Sequence, residues 1–128
     1  MILVTGSTGH LGRLVIDALV PLVGADQVIA GAHRSDANKA RDAFRHPKET
    51  LGFFGLGVGQ TVIEITPGGG WYTEILAPAL MNDGRYIAAI IDPASAASEG
   101  AKAYYTKSNQ AFRDKLAANP ELYGSAEI

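Results

Sequence analysis

Two stretches of this chain have residue types and spacing suited to holding a nucleotide-like ligand. The first is Thr5-Gly6-Ser7-Thr8-Gly9-His10-Leu11-Gly12. It follows a short apolar run, Ile2–Thr5, and leads into a helical pattern. In that context Gly6 allows a tight turn, Gly9 lets a pyrophosphate approach the backbone, and Gly12 lets helix and strand pack closely. The N–H groups at such a helix start face the phosphates. Gly6, Ser7, Thr8, Gly9, His10, Leu11 and Gly12 are therefore candidate cofactor contacts. The second stretch is Glu64-Ile65-Thr66-Pro67-Gly68-Gly69-Gly70. Here a carboxylate near a strand end precedes a glycine turn, and Asp92 closes the next apolar run. Glu64, Gly68, Gly69, Gly70 and Asp92 are the candidates of this second loop.

The elements that would position these residues alternate. Strands are expected over Ile2–Thr5, Gln27–Ala32, Thr61–Thr66 and Arg85–Ile91, with a fifth at Ala126–Ile128. Between them, helices are expected over His10–Val20, from Asp36 (an N-cap) to Phe54 with a break before Pro47, after Gly70, and over Ala97–Ala118. Strand–helix alternation predicts an α/β domain with a parallel sheet covered on both faces. The expected architecture is a doubly wound, Rossmann-like or flavodoxin-like three-layer sandwich of 4–5 strands in the order 2-1-3-4-5. In that order the two glycine loops flank one crevice.

Bulk composition narrows the function classes. The 128 residues suit a single domain, residues 1–128. The net charge of −2 gives no footprint for nucleic acid. Cysteine is absent, which removes thiolate chemistry. His10, His33 and His46 have no metal-ligand spacing. No apolar run reaches the ~20 residues of a membrane span. No targeting pattern opens the sequence, so a soluble, cytoplasmic protein is expected.

Residues 1–34, through Ile2-Leu3-Val4-Thr5-Gly6-Ser7-Thr8-Gly9-His10-Leu11-Gly12, resemble an atypical short-chain dehydrogenase/reductase of the NAD(P)H-quinone-reductase-like kind. In such families an acidic residue ending the second strand holds the ribose of NAD. His33-Arg34 stands there instead, so the resemblance implies NADP(H), with Arg34 either pairing with the 2′-phosphate or remaining a solvated cation. Residues 41–128 resemble class I S-adenosylmethionine-dependent methyltransferases of a predicted bacterial family. That resemblance rests on Arg45-His46-Pro47-Lys48-Glu49-Thr50-Leu51 and Trp71-Tyr72-Thr73-Glu74-Ile75-Leu76 as well as on the second loop. It implies that the glycines lie against S-adenosylmethionine and that Asp92 takes the ribose hydroxyls.

The two resemblances meet at residues 35–40, each cut within its parent domain. The expected identity is an engineered chimera of two fragments. It is a non-catalytic scaffold with residual nucleotide-binding loops, needing no cofactor but able to hold NADP(H) or S-adenosylmethionine weakly. The alternatives are a methyltransferase fragment or an NADPH-dependent reductase. No catalytic residue is assigned. The Tyr-x-x-x-Lys pattern of typical short-chain reductases is absent, because Tyr104 and Lys107 are only three apart. Tyr104 and Tyr105 read as packing residues.

Overall fold

The computed structural model describes residues 2–3, 25–57 and 59–128. Its sheet is smaller than expected. Strand β1 is Ile2–Leu3, β2 is Thr61–Ile65 and β3 is Arg85–Ala89, parallel and in the order β1-β2-β3. Ile63 pairs with both Ile2 and Ile87. Among the described residues, two full strands and a two-residue strip do not make the doubly wound 4–5-stranded sandwich of order 2-1-3-4-5, and that expectation is corrected here.

The main cause is the stretch Gln27–Ala32. It was expected as the second strand, but its first four residues, Gln27–Ala30, lie in helix α1, Ala25–Ala30. A short apolar run such as Val28-Ile29-Ala30 fits either element by periodicity. Here Asp26 sits in the first turn and Gly31 follows the end, and both favour a helix. Val28 and Ile29 then pack on the core from one side. The expected fifth strand, Ala126–Ile128, is reduced to one parallel bridge between Ile87 and Glu127. The expected helix over His10–Val20 lies outside the described residues.

Short helices follow α1: α2 at Asp36–Lys39, α3 at Asp42–Arg45 and α4 at Pro47–Phe53. Ser35, not Asp36, caps α2 by accepting the Asn38 N–H at 3.3 Å. Pro47 opens α4 and Gly55, at φ +64°, follows it. Helix α5, Thr73–Leu80, connects β2 to β3. After β3 a 3-10 turn at Pro93–Ser95 leads to the long α6, Glu99–Ala117, and the short α7, Pro120–Tyr123.

One face of the sheet carries the core. Val62, Glu64, Tyr86 and Ala88 point into it and are buried. Leu51, Ile75, Leu76, Phe112 and Leu116 close over them from α4, α5 and α6. Each fully buried aliphatic side chain among these contributes about 1.5–3 kcal/mol. On the other face Ile63 and Ile87 are half-buried and Ile65 is 42% exposed, so the two strands alternate buried and less buried positions. Tyr104 and Tyr105 meet edge-on at 5.5 Å, but Tyr104 remains 68% exposed and is not a core residue.

Candidate functional site

Parallel neighbours release their loops at the same sheet edge. At the carboxyl end of β2 the Thr66 N–H donates to the Ala89 carbonyl at 2.9 Å, the last link before the two chains part. Thr66 has φ +54°, a left-handed conformation unusual for a β-branched residue. Gly68 at φ +57° and Gly70 at φ +78° continue the turn. Side chains there would be strained, so the glycines are needed for the loop's path. A Cβ added to Gly68 or Gly69 would meet nothing within 4 Å among the described residues, so this surface is open on their side. From β3 the chain reaches Asp92, an exposed carboxylate whose Oδ1 accepts the Ala94 N–H at 2.9 Å.

Helix α6 touches both loops. Asn109 Nδ2 donates to the Ile91 carbonyl at 2.8 Å, and Lys115 Nζ donates to the Gly69 carbonyl at 2.8 Å. The glycine loop and the Asp92 loop therefore share a backing element as well as a sheet edge.

Glu64 is brought under this edge but not into it. It is 2% exposed, and its Oε2 accepts the Tyr86 hydroxyl at 2.6 Å and the Thr73 hydroxyl at 3.0 Å. Burial pushes its pKa up, more than those two hydrogen bonds pull it down. Burial and the adjacent Glu64 carboxyl push the Tyr86 phenol well above its ordinary range. Thr73 begins α5, so this cluster anchors the helix that leaves the loop.

A second buried cluster lies behind the loop. Glu74 accepts from Lys115 Nζ at 2.7 Å, and from the Ser35 N–H and hydroxyl at 3.3 Å each. Burial raises the Glu74 pKa, but Lys115, Asn38 and Ser35 together outweigh it and hold the carboxyl below its usual value. Pro78 sits inside α5 and has no N–H to give the Glu74 carbonyl one turn earlier. His33 Nε2 supplies the missing donor at 2.9 Å, which requires the proton on that nitrogen.

Arg34 does not face a ligand crevice. Its side chain is 0% exposed and forks onto Asp42 at 2.6 and 2.9 Å, with the Ile29 carbonyl at 2.7 Å. Its Nε has no hydrogen-bond partner and lies 3.9 Å from Glu74 Oε2. Arg34 and Arg45 both lie over the Trp71 ring, at 5.7 and 4.8 Å from its centroid. Trp71 donates from Nε1 to the Asn38 carbonyl at 2.8 Å.

Of the sequence-derived candidates, Gly68, Gly69, Gly70 and Asp92 come together at one edge, with Glu64 buried beneath. Gly6, Ser7, Thr8, Gly9, His10, Leu11 and Gly12 lie outside the described residues. Lys115, Glu74, Thr73 and Tyr86 were missed as partners. One signal was present: a proline inside α5 announces an orphan carbonyl at Glu74. Among the described residues no group of three or more His, Cys, Asp or Glu is arranged to hold a metal, and no helix is long and apolar enough to cross a membrane. Comparison with family models, curated proteins and solved structures gives no match.

Proposed function

We propose that the protein is a binding domain for an adenosine-type cofactor without a phosphate chain, S-adenosylmethionine or its demethylated product, held between Gly68–Gly70 and Asp92. The observation that carries this reading is the open glycine surface at the same sheet edge as an exposed carboxylate. A ligand with no phosphates needs close backbone approach and hydroxyl acceptors. Gly68 and Gly69 offer the first, and Asp92 retains acceptor capacity beyond its bond to Ala94. Two cations behind the loop are neutralised within the fold, the partly buried Lys115 by Glu74 and the buried Arg34 by Asp42. That favours a ribose diol and a sulfonium over a pyrophosphate. The reading is one of binding, and no bond-making step is assigned.

The chimeric origin belongs to the same proposal, with its join moved upstream. Arg34 interlocks with Asp42 and Glu74, and His33 completes α5. We infer that residues from about His33 onward form one co-adapted unit with the second loop.

Calorimetric titration tests the reading. S-adenosylmethionine should bind with a Kd of ~0.1–1 mM, a free energy of only about 4–5.5 kcal/mol. Gly69→Leu fills the open surface at an ordinary φ, so it should abolish binding while leaving the circular dichroism unchanged. Asp92→Ala should weaken binding at least about tenfold. No saturable binding, or binding indifferent to both changes, overturns the assignment. NADPH bound equally by the native chain and both variants would move the site to Gly6–Gly12.

A further inference from the structure

The glycine loop has one internal bond, the Gly70 N–H to the Pro67 carbonyl at 2.9 Å, and takes further support from outside. Its inner side rests on a residue 46 positions later in the chain, Lys115 on α6, whose Nζ lies 2.8 Å from the Gly69 carbonyl and 3.5 Å from that of Gly70. A Cβ on Gly70 would come within 3.2 Å of the same nitrogen, so loop and ammonium are in close contact. The Gly70 carbonyl also accepts the Glu74 N–H at 3.1 Å. A trans peptide points its C=O and N–H in opposite directions. Drawing the Gly70 carbonyl inward therefore turns the Trp71 N–H the other way. Without the ammonium the Gly69 carbonyl would lose this donor, and the Gly70 carbonyl would keep only the Glu74 N–H.

We propose that Lys115 is the positioning residue of the glycine loop, and that Glu74 serves to hold the ammonium at that point. Glu74 is 2% exposed and its Oε1 accepts from Lys115 Nζ at 2.7 Å and from the Ser35 hydroxyl at 3.3 Å, while its Oε2 accepts the Ser35 N–H at 3.3 Å. The carboxylate fixes where the ammonium sits, and the ammonium fixes where the carbonyls of Gly69 and Gly70 point. The effect on ligand affinity rests on the function proposed above; the effect on the loop does not.

Lys115→Met alone removes the loop support and also strands a buried carboxylate, so it will lower stability for two reasons. The double variant Lys115→Met with Glu74→Gln separates them, because it removes the stranded charge and still leaves the Gly69 carbonyl without the ammonium. Two readouts apply: hydrogen exchange and NMR shifts of the Gly68, Gly69 and Gly70 amides, and titration with S-adenosylhomocysteine. The expected result is that the double variant regains most of the thermal midpoint lost by Lys115→Met. Its loop amides should still exchange faster and its affinity should stay about tenfold below native, the size of one lost charge-assisted hydrogen bond. Loop amides and affinity that recover together with stability would make Lys115 a stabilising residue only and overturn the proposal. Loop amide shifts unchanged in Lys115→Met would overturn it as well. If the native chain takes up no S-adenosylhomocysteine, the proposed function fails, and the amide readout still decides the role of Lys115.

Discussion

Arg34→Met should destabilise this protein without changing any ligand preference. Methionine keeps most of the buried stem and removes the guanidinium. Three losses follow. Asp42 loses a two-point partner at 2.6 and 2.9 Å, the Ile29 carbonyl loses a donor at 2.7 Å, and Glu74 loses a cation 3.9 Å away. Removing one member of a buried ion pair costs about 3–5 kcal/mol. The lower end applies here, because the Asp42 side chain is 22% exposed and regains water. Glu74 also keeps Lys115. An unfolding entropy of about 2.1 cal/mol/K per residue gives about 0.27 kcal/mol/K for 128 residues. A loss of about 3 kcal/mol then lowers Tm by roughly 11 °C. Urea unfolding followed by the fluorescence of Trp71 and by circular dichroism measures the loss. Asp42→Asn completes a double-mutant cycle, in which the two changes should be strongly non-additive. A loss below about 1 kcal/mol, or plain additivity, refutes the buried pair. A variant of native stability that discriminated less between NADP and NAD would place the guanidinium at a phosphate instead.

Glu64 and Glu74 should give pH dependences of opposite sign. The folded-state pKa of Glu64 is raised above 4.5, so the folded protein binds more protons in the window just above that value and stability falls as pH rises through it. Glu64→Gln should flatten that fall, and parallel native and variant stability curves between pH 4.5 and neutrality would contradict it. Glu74, with its pKa lowered, contributes stability that is present above 4.5 and lost as pH drops below it, so Glu74→Gln should remove part of the acid-side loss in the same unfolding series. His33→Ala should cost about 1–2 kcal/mol by orphaning the Glu74 carbonyl, and Pro78→Ala in the same chain should recover part of it by restoring the helical donor; equal losses with and without that second change would dismiss the His33 bond. Gly84→Ala should cost about 1–3 kcal/mol in urea unfolding, since its Cβ would lie 2.8 Å from the Gln60 carbonyl oxygen, and a neutral result would mean that this turn yields freely.

What was legible in the sequence was local. Thr61–Ile65 and Arg85–Ala89 stand between glycine and asparagine turns, and Pro47 marks a helix start, so these elements are specified by neighbours a few positions away. Val28-Ile29-Ala30 lacked such a decision. Its apolar run suits a strand or a helix, and packing against α4 and α5 settled it. That assignment removed one strand from the expected sheet, and the reduction of Ala126–Ile128 to a bridge removed another.

The site divides along the same line. Glycines and Asp92 announce themselves because the loop geometry depends on their own backbone and side chains. Their support does not, since Lys115 is 41 positions from Glu74 and 46 from Gly69. Arg34 is the sharpest case. A guanidinium in a loop after an apolar run has the same sequence signature whether it meets a phosphate or a carboxylate. Asp42 lies only eight residues on, yet on no single regular helix with Arg34, so no periodic rule pairs them. The three-dimensional path of α1 and α2 does so, by placing that fork between Asp42 and the Ile29 carbonyl. A buried cation must find acceptors inside the fold or remain unpaired at a large energetic penalty. Once that path buries Arg34, its partners are fixed by the fold, and among the described residues the proposed ligand site is left to Gly68, Gly69 and Asp92.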